Sequence, residues 1–141
     1  MAHFVPTDIK DASLVVIHNS ETGNIVNFER ADGEDGIICG GVDEGEGLID
    51  AAVRDAKEEC GLVIDEEETT YLFSMLAPGG KVMVHCYYYD VAKESDPEVF
   101  IGEEFATEGK PSWTNPLSFL DDSSGKFKDF NTVLLSTIGL T

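Results

Sequence analysis

Positive charge is what this chain has least of. Its 141 residues carry nine Lys and Arg against 28 Asp and Glu, a formal net charge of −19 at pH 7. Nucleic-acid binding needs a basic footprint that displaces counterions, so an affinity for phosphate backbones is excluded. Apolar residues are not short: they make up 42% of the chain, enough for a packed core and too many for a disordered acidic segment. The acidity therefore reads as a solvated surface, one suited to salty surroundings. Cysteine is scarce as well. Cys39, Cys60 and Cys86 show no CxxC spacing, and His3, His18 and His85 are scattered and form no ligand motif with them. Reduced structural thiols in the cytoplasm are expected, not disulfides or a zinc site. No apolar run approaches the length of a membrane span, and the opening MAHFVPTDIK lacks the apolar stretch of a signal peptide. A membrane is not an expected partner. Repeats, low-complexity tracts and long linkers are missing too, so residues 1–141 read as a single domain.

What the chain does contain is a succession of short, well-punctuated elements. Ser13 to His18 and Asn24 to Arg30 are rich in β-branched residues, and the turn residues NSETG between them predict a hairpin. Gly36 to Cys39 is a short apolar run that leads into a glycine pair. A second hairpin is predicted from TTYLFSML and KVMVHCYYYDV around APGG. The acidic stretch AKESDPEVFIGEEFATEGKP reads as loop, PLSFLDD as a short helix, and FKDFNTVLLSTIGL as a C-terminal helix. Strands, a helix, more strands and a last helix predict a mixed α/β sandwich with helices on the sheet faces.

The centre of the sequence is CGGVDEGEGLIDAAVRDAKEECGL, Cys39 to Leu62. From Leu48 the period becomes helical, with Ile49, Ala52, Val53, Ala56 and Cys60 on one stripe, and Gly61 follows as a left-handed cap would. At 100° per residue, Asp55, Glu58 and Glu59 gather on an arc opposite that stripe. Like charges at these spacings repel by roughly 0.2–0.5 kcal/mol per pair in an isolated helix. A hard divalent cation such as Mg²⁺ would offset the repulsion, since it prefers carboxylate oxygens and brings substrate phosphates into its shell. The glycines before the helix let backbone approach closely, and the helix N-terminus offers N–H groups to an anion. Spacing alone leaves this open beside a plain exposed acidic face.

The same stretch resembles the signature of the Nudix hydrolases, Gly-x5-Glu-x7-Arg-Glu-U-x-Glu-Glu-x-Gly-U, where U is aliphatic. Gly40, Glu46, Arg54, Ala56, Glu58, Glu59, Gly61 and Leu62 fall at its spacings, and Asp55 stands where the family has Glu. The resemblance implies a Nudix α/β/α sandwich with a mixed β-sheet. It implies Mg²⁺-dependent hydrolysis, with Mn²⁺ as a substitute, of a pyrophosphate bond in a nucleoside diphosphate linked to another moiety. Carried over by position, Gly40 (through its carbonyl), Asp55, Glu58 and Glu59 would be metal ligands, with Asp55 and Glu59 also in the catalytic set. Glu46 and Arg54 would be an orienting pair. The shorter Asp55 withdraws its carboxylate by one methylene, about 1.5 Å. Length alone therefore predicts that Asp55→Glu restores the reach.

Outside the signature, TEGKPSW resembles a loop of MutT-type nucleotide pyrophosphatases and makes Glu108 the candidate base, with Glu103 and Glu104 as rivals. Arg30 is a candidate phosphate contact and Asn131 a candidate contact to a base edge, with Phe127 and Phe130 beside it. Trp113 reads as packed, and Tyr87, Tyr88 and Tyr89 alternate across a strand. The substrate reading leans to a (d)NTP or similar nucleotide. An ADP-ribose pyrophosphatase is the alternative, from Pro78 at 16 residues beyond Leu62, although a Pro-Gly-Gly turn explains that proline without a substrate. A Nudix-fold binding module without catalysis is the reading from another class, and a homodimer stays open.

Overall fold

The structure is a computed structural model and describes residues 9–30, 35–91, 109–122 and 127–141. Strands β1 (Lys10–Asn19) and β2 (Asn24–Arg30) form the first hairpin. Its turn is held by Asn19, whose Oδ1 accepts from the N–H groups of Glu21 and Thr22 at 2.9 and 3.3 Å. The hairpin then splays, because only His18 and Asn19 pair with Ile25 and Asn24. A run made of β3 (Asp35–Gly36) and β4 (Ile38–Gly41) enters the gap, pairing first with β2 and then with β1. The second hairpin joins β5 (Thr70–Leu76) to β6 (Val82–Asp90). Its turn is closed by Ala77 N–H on Val82 O at 2.8 Å and Gly80 N–H on Ala77 O at 3.0 Å. Strand β6 lies parallel to β1, from Lys10 opposite Val82 to His18 opposite Asp90.

One segment departs from the sequence reading. Gly109–Thr114, whose first three residues end the stretch read as loop, is strand β7 and pairs antiparallel with β2 along Ile25 to Arg30. Gly and Pro argue against a strand from composition alone. Here Pro111 sits opposite Phe28 on a strand that has no second neighbour among the described residues, the setting in which a sheet accepts proline. The seven strands make one mixed sheet.

Alternation along the strands sorts side chains onto two faces. Val15 and Ile17 of β1 and Tyr87 and Tyr89 of β6 face helix α1 (Leu48–Cys60), packing on Ala52, Ala56 and Cys60. Leu14 and Val16 face the other way with Val84 and Cys86, under helices α2 (Pro116–Asp122) and α3 (Phe127–Thr137). These helices contribute Phe119, Phe130, Leu134 and Leu135. The arrangement is an α/β/α sandwich. Each fully buried aliphatic side chain contributes roughly 1.5–3 kcal/mol of hydrophobic free energy. Trp113 packs against the α1-side core, and Phe130 is buried with the more exposed Phe127 edge-on to it, centroids 6.1 Å apart. Burial pushes the thiols of Cys60 and Cys86 up to about 12, which leaves them unreactive near neutral pH. No described helix is long and apolar enough to cross a membrane.

Local chemistry sets the ends of the helices. Asn115 precedes Pro116 and accepts from the N–H groups of Leu117 and Ser118 at 2.9 and 3.4 Å, which starts α2. Gly61 ends α1 in the left-handed region at φ 70, its N–H on Lys57 O at 2.9 Å. Leu62 N–H then reaches back to Ala56 O at 3.3 Å. The start of α1 is tied to the sheet from below. Ser13, fully buried in β1, donates its hydroxyl to Leu48 O at 2.6 Å.

Candidate active site

Helix α1 crosses the sheet where β4 delivers the glycine pair, and the two elements meet at Asp55 and Gly40. The arc that holds Asp55, Glu58 and Glu59 is not uniformly solvated, contrary to the expectation that it opposes the apolar stripe. Asp55 is 4% exposed, Glu59 is half-buried and only Glu58 is open to solvent. The reason lies in helix geometry. Residue 55 stands about 60° from Ala52 around the axis, at the flank of the buried stripe and not across from it. It can be buried there because the facing residue has no side chain. A Cβ on Gly40 would stand 2.5 Å from Asp55 Oδ1 and 2.6 Å from Cγ, and closer still to Oδ2.

Arg54 is the cation at the centre of this cluster. Its guanidinium grips Glu46 in a fork, Nε on Oε2 at 2.9 Å and Nη2 on Oε1 at 3.0 Å. Nη2 also donates to Gly41 O at 2.8 Å, and Nη1 to Asp55 Oδ1 at 3.3 Å and Glu58 Oε2 at 3.2 Å. Glu46 in turn accepts from the Asp43 N–H through Oε1 at 3.0 Å, closing the Asp43–Glu46 turn. One side chain thus joins the end of β4, the glycine-rich loop and α1. The planar fork suits arginine and not lysine. Hydrogen bonding to Arg54 holds the Glu46 carboxyl down at about 2, and the same bond raises Arg54. Asp55 moves the other way. Burial raises its carboxyl to about 7, against the pull of Arg54, with Glu58, Glu46 and Asp43 adding to the rise.

The signature positions Gly40, Glu46, Arg54, Asp55, Glu58 and Glu59 are therefore gathered around one helix–strand contact. Two participants carried no sequence expectation: Asp43, 3.7 Å from Arg54 Nη2, and the Gly41 carbonyl. The acidic turn Asp43-Glu44-Gly45-Glu46 was the available signal for Asp43; backbone acceptors leave none. Arg30 ends β2 opposite Gly109, one residue along the chain from Glu108, but only its backbone is described. Glu103, Glu104 and Glu108 lie outside the described residues. Asn131 is buried on α3, on the opposite face of the sheet from α1. His18 and His85 are engaged elsewhere, with Tyr88 at 2.6 Å and with Ser74 and Asp11 at 2.6 and 2.9 Å.

A divalent cation can be tested against these donors. Among the described residues no three His, Cys, Asp or Glu side chains converge into a closed cage. The donors at the contact are all oxygens, however, and Asp55 Oδ2 is buried with no hydrogen-bond partner. Asp43, Glu46, Asp55 and Glu58 surround a single guanidinium, which leaves the cluster negative. Hard oxygens, excess negative charge and an open side suit Mg²⁺, which keeps waters and substrate phosphates in its shell. The donor chemistry fits.

A family model for the NUDIX domain matches residues 8–128 of the chain. Among solved structures, the NUDIX domain of Shewanella oneidensis NrtR complexed with ADP ribose superposes with a TM-score of 0.73 at 14% identity, covering 96% of this chain and 92% of that one. The E. coli dihydroneopterin triphosphate pyrophosphohydrolase superposes at 0.66 and 19% identity, covering 91% and 95%. A MutT/nudix family protein from Enterococcus faecalis superposes at 0.62 and 20% identity, over 80% of this chain. That match takes in 46% of the E. faecalis chain, so the present chain spans about half its length. At these identities the likeness to each structure is one of fold. No curated protein sequence matches.

Proposed function

We propose that this chain, which belongs to the NUDIX family, is a pyrophosphohydrolase that uses Mg²⁺ to cleave a pyrophosphate bond in a (d)NTP or a similar nucleoside diphosphate derivative, acting as a single cytoplasmic domain. The observation that carries the reading is the Arg54 clamp. It holds Glu46, the Gly41 carbonyl, Asp55 and Glu58 in one hydrogen-bonded set at the contact of β4 and α1.

In this reading Glu58, Glu59 and the Gly40 carbonyl hold the cation, with Asp55 behind them. Bound there, Mg²⁺ would offset charge on the phosphate oxygens of the substrate. Everything else falls to the chain's own groups. The Glu46–Arg54 fork keeps the loop and helix in register, and Gly40 lets the backbone come close to the carboxylates. Arg30, at the end of β2, supplies a fork for a phosphate, and Glu108, next in sequence to Gly109 opposite it, accepts the proton of the attacking water. Asn131, buried on α3 across the sheet from the clamp, takes no part in this reading. The lean to a (d)NTP over ADP-ribose is supported by Pro78. It sits in the closed turn between β5 and β6 and needs no substrate to account for it.

The test is chromatographic separation of the cleavage products of a nucleotide panel, pyrophosphate and a nucleoside monophosphate from a (d)NTP or AMP and ribose 5-phosphate from ADP-ribose, with and without excess EDTA. Turnover should require Mg²⁺ or Mn²⁺, and Glu59→Gln should lower kcat by roughly a hundred-fold or more with the melting temperature unchanged. Undiminished turnover in EDTA would refute the proposal. Nucleotide binding with no turnover in any metal would make the chain a binding module.

A further inference from the structure

Resting on the cation reading above, we propose that Asp55 is a positioning residue matched in length to Gly40. Its carboxylate seats the Gly40–Gly41 backbone against α1, and the shorter acid at this position is what the close helix–strand contact requires. This reverses the expectation from side-chain length alone.

Three observations carry it. Asp55 is buried, 4% exposed, while Glu58 in the next turn is open. Its carboxylate fills the space in which a side chain on Gly40 would begin, with Oδ1 and Cγ only 2.5 and 2.6 Å from that Cβ position. The contact is confined to that one residue, since a Cβ on the adjacent Gly41 would meet nothing within 4 Å. The third is that both sides of the contact are tied to the same guanidinium, Asp55 Oδ1 at 3.3 Å and Gly41 O at 2.8 Å. The group at 55 thus meets backbone on one side and Arg54 on the other.

A glutamate there adds a methylene, about 1.5 Å, toward the backbone of β4. That backbone is not free to retreat. Gly40 is paired with Ser13 in the β1–β4 ladder, and Ser13 is in turn bonded to the first turn of α1. The longer acid must therefore push α1 and β4 apart, which breaks the Arg54 contact to Gly41 O and moves the Gly40 carbonyl relative to Glu58 and Glu59. Overfilled contacts in packed interiors are strained in this way. Asparagine has the shape of aspartate and keeps the packing.

The experiment is Mn²⁺ binding, read from the loss of the free-ion signal in electron paramagnetic resonance, together with thermal melts in EDTA, for the wild type, Asp55→Glu, Asp55→Asn and Gly40→Ala. No substrate or turnover enters. Asp55→Glu should weaken Mn²⁺ binding roughly ten-fold or more and melt several degrees lower. Asp55→Asn should lose less affinity than the glutamate and melt no lower than the wild type. Gly40→Ala, which puts a methyl into the same space with Asp55 intact, should show the same two defects. Wild-type affinity and melting temperature in Asp55→Glu, or in Gly40→Ala, would overturn the proposal. A wild type that binds no Mn²⁺ would refute the cation reading instead, and the EDTA melts would still decide whether Asp55 and Gly40 are matched.

Discussion

Arg54 makes more polar contacts than any other side chain at the helix–strand contact, and the geometry of those contacts decides what can replace it. Its fork meets both oxygens of Glu46 while a further N–H reaches Gly41 O. A lysine keeps the charge but offers a point instead of a plane. Arg54→Lys is expected to lower kcat/KM by roughly ten- to a hundred-fold, the usual effect of disturbing groups that orient metal ligands. Its melting temperature should shift by only a few degrees; steady-state kinetics beside a thermal melt would separate the two. Glu46 gives the clamp a pH dependence. Its carboxyl titrates near 4.5 when free and at about 2 in the fold, because Arg54 bonds the charged form. The stability this adds is complete above pH 4.5 and is lost as the pH falls from there toward 2. Thermal melts of wild type and Glu46→Gln should therefore differ most above pH 4.5 and converge below it. Spacing in the sequence was enough to gather these residues in one set. It could not show that Asp55 is buried, because that depends on a glycine on another element having no side chain.

Elements announced themselves where local chemistry and tertiary contacts agree. Both hairpins, α1 and the two later helices were legible from periodicity and turn residues, and Gly61 from its place after the last apolar position. The αL cap there, φ 70, is a conformation in which a side chain costs about 1–2 kcal/mol. Gly61→Ala should therefore be destabilising by that amount in denaturant melts, with kcat unchanged, since Gly61 carries no group into the site. Strand β7 was not legible, because Gly109 and Pro111 are poor strand residues and only the free edge of β2 makes a strand of them. The two-residue β3 was missed for a related reason. Asp35 and Gly36 have no strand preference of their own, and Asn27 of β2 fixes them through Asp35 Oδ1 at 2.9 Å and the Gly36 N–H at 3.2 Å.

At the scale of the molecule, a charge of −19 spread over one sandwich makes the folded state repel itself, and dissolved ions weaken that repulsion. Raising KCl from 0.05 to 1 M shortens the screening length from about 14 Å to about 3 Å. The melting temperature is expected to rise steadily over that range; a flat or falling curve would show that the acidic groups are balanced locally. The parallel pairing of β1 with β6 has another consequence, one of timing. Every residue of α1 and of the glycine-rich loop lies within the crossover between those two strands, with 72 positions from Lys10 to its partner Val82. At about 5–20 residues per second, a ribosome needs roughly 4–14 s to supply that partner once β1 has been made. During that interval β1 has only the first hairpin and β4 to pair with, and α1 has no complete sheet to rest on. The carboxylate cluster thus comes together only after most of the chain has been translated, and the nascent protein holds no finished Arg54 clamp until β6 has docked.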